Sequence, residues 1–175
     1  IVPESGYVIL SSENGESPYS TVIIWDFKNI LVNDFDYINY VITDYENNTY
    51  KYDIKSYKEV SITDENGNPL YALDIKYGKL CSVAESEDKA VLKIIVCQNK
   101  LSGTVTATDG KNITIDETEY TLSDDLANKK DEDTKRLKTG MTGTFYINCF
   151  GKIAKIIWTE ETGLFVGYLF KAAMK

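Results

Sequence analysis

The strongest constraint on this chain is a rhythm. Short runs rich in β-branched residues and tyrosine are cut, at spacings of roughly 8–12 residues, by clusters of turn-forming residues. The runs in the first half are GYVILSS (6–12), STVIIWDF (20–27), DYINYVITDY (36–45), TYKYDIK (49–55), PLYALDI (69–75), LCSVAES (80–86) and AVLKIIVC (90–97). The second half continues with SGTVTATD (102–109), NITID (112–116), TEYTLS (118–123), GTFYIN (143–148), KIAKIIWT (152–159) and LFVGYLFKA (164–172). Many alternate apolar with polar residues, as Val105 and Ala107 or Ile113 and Ile115 do. That period of two predicts strands with one wet face. Between them stand ENG (13–15), ENN (46–48), ENGN (65–68) and DG (109–110), each supplying a residue tolerant of positive φ.

Helix signals are sparse. Ser123 is a good N-cap, with Asp124 and Asp125 behind it, and DLANKKDED (125–133) offers only Leu126 and Ala127 as an apolar face. One short surface helix is expected. NDFDYI (33–38) reads as a turn opening the strand that follows.

An internal echo organises the chain. YGKLCSVAESED (77–88) matches FGKIAKIIWTEE (150–161), aligning Gly78 with Gly151, and NNTYKYDI (47–54) matches DETEYTLS (116–123) about 70 residues on. GYVIL (6–10) returns at the end as GYLFKA (167–172). The expectation is two related β units, residues 1–98 and 99–175. The last run, 164–175, either closes the second unit or starts a further repeat. The opening IVPESG has no initiator methionine and no hydrophobic signal core, so a segment cut from a longer protein is expected.

Composition removes whole classes of function. There is no histidine, which excludes Ser-His and Cys-His nucleophile pairs and histidine metal sites. Acidic residues number 27 against 19 basic, a net charge of −8, and Arg136 is the only arginine. A nucleic-acid surface needs a basic stripe, and here lysines alternate with acids, as in KKDEDTKRLK (129–138), so no nucleic-acid partner is expected. The longest apolar stretches, TVIIW (21–25) and VLKIIVC (91–97), fall far short of the roughly 18 residues of a membrane helix. Cys81, Cys97 and Cys149 show no CxxC spacing and no disulfide framework, so three free thiols and no metal are expected.

The stretches GTVTATDGKNITIDETEYTLSDDL (103–126), LKTGMTGTFYINCFGKIAKI (137–156) and GYLFKA resemble a module of Gram-positive bacterial cell-surface proteins that carry S-layer homology domains. The likeness spans about residues 101–172; the first half shares mainly GYVIL, TVIIWD and YGKL. This chain departs from that pattern at Glu117, where glycine is usual, at Met141-Thr142, which replaces an acidic turn, and at Cys149, which replaces an aspartate. The resemblance implies a β-barrel-like, non-catalytic spacer on the outer side of the cell wall, with no cofactor.

Residues that could carry chemistry are few. DENGN (64–68) and NDFD (33–36) are oxygen-rich, but Asp64 fails the register of a calcium loop, which makes a turn the better reading. Asp124, Asp125, Asp131 and Asp133 read as a capped acidic surface loop. Glu85, Glu87, Glu160 and Glu161 could pair as glycosidase carboxylates, yet acids at strand ends are ordinary solubilising residues. Trp25, Tyr50, Tyr52 and Trp158 are the candidate ligand-stacking aromatics, alongside Tyr37 and Tyr40, with cross-strand packing as the commoner use of such residues.

The sequence therefore predicts an all-β chain of two tandem, related OB/SH3-like barrels. Its expected role is a structural spacer of a secreted, wall-associated surface protein, in contact with neighbouring domains of the same protein and inserted in no membrane. The alternative is a carbohydrate-binding module that recognises wall or environmental polysaccharide through exposed Tyr and Trp.

Overall fold

A computed structural model describes residues 3, 5–12, 15, 19–45, 50–128 and 137–159. The protein is all-β, 56% strand, with one short helix among the described residues. A two-stranded ribbon comes first, β1 (Gly6–Ser11) antiparallel to β2 (Thr21–Asp26). A six-stranded sheet follows, built from β3 (Lys28–Asp36), β4 (Val41–Asp44), β5 (Lys51–Asp53), β6 (Glu59–Asp64), β7 (Leu80–Glu85) and β8 (Val91–Cys97). Its order is β5-β4-β3-β7-β8-β6, antiparallel except where β6 runs parallel to β8. The five-stranded sheet holds β9 (Lys100–Thr108), β10 (Asn112–Ile115), β11 (Thr118–Thr121), β12 (Thr142–Ile147) and β13 (Ile153–Trp158), in the order β11-β10-β9-β12-β13.

Both sheets use one long strand to join two hairpins. The first half of β3 pairs with β7 and its second half with β4, across a register shift near Asn33. β9 does the same with β12 and β10, with its own shift beside Val105. The echo between 47–54 and 116–123 falls on corresponding strands, β5 and β11. The echo between 77–88 and 150–161 does not: it aligns β7, which lies between β3 and β8, with β13, which lies at the edge of its sheet among the described residues. What Gly78 and Gly151 share is local, a turn at φ of 72° and 75° feeding a strand.

The expectation of closed barrels is not met, because both larger sheets are open among the described residues. In the five-stranded sheet, a single isolated bridge from Leu122 to Ile153 spans the two ends. The helix α1 (Asp124–Asn128) follows directly, where Ser123 accepts the Leu126 N–H on its side chain and the Ala127 N–H on its carbonyl. Buried Leu126 fastens it to the core, as the cap and the sparse apolar face predicted.

Two strand expectations need correction, and two strands arise where none was expected. The run 69–75 is not a strand: the Asp74 carboxylate takes the Tyr71 N–H at 2.9 Å and winds Ala72–Asp74 into a 3-10 turn. The run 36–45 is broken because Asp36 accepts the N–H groups of Ile38 and Asn39, turning the chain before β4. β3 and β6 were not expected as strands. The runs at 164–172 and the turn at 46–48 lie outside the described residues.

Two cores follow from the alternation. Ile30, Val32, Ile42, Cys81, Val83, Leu92 and Ile94 pack inside the six-stranded sheet, and Val105, Ile113, Ile115, Phe145, Ile153 and Ile156 inside the five-stranded one. The expectation of one wet face holds for β4 and β10 and fails for β7, whose first five residues are all buried. The second face of β7 is covered because the five-stranded sheet packs there, with Leu80, Cys97 and Ala154 as a small third core and Tyr146 and Cys149 against it. The Phe27 ring meets Phe150 edge-on across the same junction, centroids 5.7 Å apart.

Candidate functional site

Of the four aromatic candidates from the sequence, Trp25, Tyr52 and Trp158 lie in three different sheets and Tyr50 just ahead of β5, so they form no shared platform. Tyr52 is 5% exposed and offers no ring face to solvent; burial, with Glu85 next, raises its pKa above the usual tyrosine value. Tyr50 is half-buried against the same core, with the Lys28 ammonium 5.5 Å from its ring centre. Trp158 stands edge-on to Phe145 at 5.9 Å. Trp25 lies 6.5 Å from Phe27, and the Lys93 Nζ sits 5.2 Å from its ring. That same ammonium donates to the Tyr7 hydroxyl, so one lysine of β8 ties the ribbon to the six-stranded sheet. Packing has taken Tyr52, while Trp25, Tyr50 and Trp158 are each partly buried beside a neighbouring side chain.

The carboxylates are also committed locally. Asp64 accepts from Asn66 N, Asn68 N and Asn68 Nδ2, Asp109 from Lys111 N and Asn112 N, and Asp36 from Ile38 N and Asn39 N. These hydrogen bonds hold all three carboxyls below the ordinary aspartate range. Glu85 accepts from the Tyr57 hydroxyl, and Asp124 pairs with Lys152 at 3.1 Å. No group of three or more metal-ligating side chains exists among the described residues. Glu160, Glu161, Asp131 and Asp133 lie outside them.

The feature that sequence reasoning missed is the junction between the larger sheets. Tyr45, Tyr77, Gly78, Tyr146, Leu31 and Ile157 line one cleft of about 110 Å³, and Tyr77, Lys79, Leu80, Cys97, Lys100 and Tyr146 line a second of the same size. Tyr77 is 69% exposed at their shared rim. Typical small-molecule pockets run to roughly 300–1,000 Å³, so these are grooves rather than a substrate chamber.

A buried polar chain runs beneath the grooves. The Ser82 hydroxyl, wholly buried, donates to Asn29 Oδ1 at 2.9 Å and lies 3.6 Å from the Cys97 sulfur. Cys149 packs against the small cluster of Leu80, Cys97 and Ala154. A tight turn delivers it there: Asn148 Oδ1 takes the N–H groups of Phe150 and Lys152, both at 3.0 Å, and Gly151 closes the loop. The hydrogen bond from Cys97 lowers the Cys149 pKa, against the opposing effect of burial, while Cys97 is raised. Burial, opposed by the charge of Lys79, pushes the Cys81 thiol up to about 12. All three cysteines stand as free thiols.

No family model matches this chain, and no curated protein matches it. The junction must therefore be read from its own chemistry.

Proposed function

We propose that this chain is a non-catalytic structural spacer of a secreted, wall-associated bacterial surface protein, built of two related barrel-like units. The observation that carries the reading is the β1–β2 ribbon. Ile9, Leu10, Val22, Ile23 and Ile24 are 42–58% exposed, and three of them are consecutive, so the ribbon is apolar on both faces. A two-stranded ribbon is marginal alone, and an apolar patch of this kind marks a contact surface. A neighbouring domain of the same protein supplies that contact in a serial spacer. Carboxylates spent on their own turns and grooves too small for a substrate fit the same reading.

Antibody raised against the purified chain is expected to label intact cells that make the protein and to follow the wall fraction. Label confined to the cytoplasm overturns the proposal, as does hydrolase turnover by the purified chain.

Polysaccharide binding is the second reading, and Tyr45, Tyr77 and Tyr146 around the grooves favour it over the four aromatics expected from sequence. Retention on peptidoglycan or glucan that is lost in Tyr77→Ala would establish it; equal elution of both proteins in the void removes it.

A further inference from the structure

Cys97 and Cys149 are 52 residues apart in sequence, one at the end of β8 and the other in the turn after β12, yet the fold packs Cys149 against the small buried cluster that holds Cys97. Their environments differ in a useful way. Cys97, at 2% exposure, is fixed at the end of β8, with Ser82 Oγ and the Ile95 carbonyl each 3.6 Å from its sulfur. Cys149 is half-buried, in the hairpin turn between β12 and β13. We propose that Cys97 and Cys149 are an oxidation site: they join as a reversible disulfide that staples the five-stranded sheet to the six-stranded one.

The oxidant is a low-molecular-weight disulfide, RSSR. The Cys149 thiolate attacks one sulfur of RSSR, forming a Cys149–SR mixed disulfide and releasing RS⁻. Cys97, giving its proton to that departing thiolate, then attacks the Cys149 sulfur and expels the second RS⁻, which takes up the Cys149 proton from solvent. The sum is RSSR plus two protein thiols giving one protein disulfide plus two RSH; the protein loses two electrons and RSSR gains them.

The order of attack follows from the site. The thiolate is the nucleophile, and Cys149 is the thiol with the lowered pKa and the exposure. The Cys97 S–H has the Ile95 carbonyl as an acceptor at 3.6 Å, and a nearby thiolate on Cys149, being charged, would take the stronger bond. Cys81 faces the interior of the six-stranded sheet, wholly buried, and is a spectator.

The test uses the purified chain and oxidised glutathione as the probe. After incubation near neutral pH and acid quench, the chain is unfolded and alkylated, and its adducts are counted by intact mass. The expected count falls from three to one, returns to three with dithiothreitol, and proteolytic mapping finds the Cys97–Cys149 peptide. Cys81→Ser should behave the same, with its count falling from two to zero; Cys149→Ser should keep both remaining thiols. Three retained thiols, glutathione stranded on Cys149, a link through Cys81, or a disulfide-bonded dimer each overturns the proposal. The mapping is done on the wild-type chain, so the result stands even if a variant misfolds.

Discussion

Phe145→Ala probes the five-stranded sheet at its most buried large residue. The Phe145 ring is 0% exposed, packed among Val105, Ile113, Leu122 and Ile153, and edge-on to Trp158 at 87°. Losing the burial of the ring removes roughly 1.5–3 kcal/mol. The edge-to-face pair adds about 0.5–1.5 kcal/mol, and the cavity adds more because flanking strands relax only in part. The expected loss is about 3–5 kcal/mol, within the reach of a fold worth roughly 5–15 kcal/mol. Urea titration followed by Trp158 emission, in a Trp25→Phe background, measures it. A lower midpoint with unchanged slope is expected. A loss under about 1 kcal/mol would refute the reasoning, because it would mean that β12 does not hold this ring at the centre of a packed core.

Glu117 sits at φ 77° in the turn between β10 and β11, beside Asp116 at φ 44°. A left-handed L-residue costs about 1–2 kcal/mol and glycine returns roughly 0.5–1 in entropy, so Glu117→Gly is expected to raise stability by up to about 1 kcal/mol in the same titration. Gly103→Ala should do the reverse, by about 1–3 kcal/mol, since its Cβ would lie 2.2 Å from Asp116 Oδ2 and 2.6 Å from Ile115 Cγ2. Asp36, Asp64, Asp88 and Asp109 all have lowered pKa values, caused first by hydrogen bonds from Asn39, Asn68, Ser86 and Asn112 respectively. Groups depressed on folding contribute stability above their unfolded pKa and lose it as pH falls through the folded value, so the melting temperature should hold down to roughly pH 4 and decline below it. A decline that begins near pH 6 would assign acid sensitivity to other groups. A double-mutant cycle on Phe27 and Phe150, to leucine, should show a coupling of about 0.5–1.5 kcal/mol, and additivity would mean that the junction is not packed as described.

The carboxylate turns show what a sequence can make legible. Asp109 with Gly110 and Asp64 with Asn68 close their turns within four residues, so their outcome is written where they stand. The same chemistry explains where two strand runs end. Asp74 looked like a polar position of an alternating strand, and Asp36 stood both in a strand run and in the turn expected at 33–38; each carboxylate captured nearby N–H groups and bent the chain. The aromatic site was illegible for a different reason: Tyr50 and Tyr52 alternate on paper as an exposed pair would, and burial on the six-stranded sheet is what withdrew Tyr52.

By itself the sequence determined the all-β class, the capped short helix and several turns, because strand alternation and side-chain capping are local and depend on residues a few places apart. Tertiary structure alone decided that β6 runs parallel to β8 and that β7 is buried on both faces. It also decided that Cys149 meets Cys97. Those outcomes depend on which surfaces separate segments find to bury, and a residue carries no mark of a partner some 50 positions away until the sheets have packed.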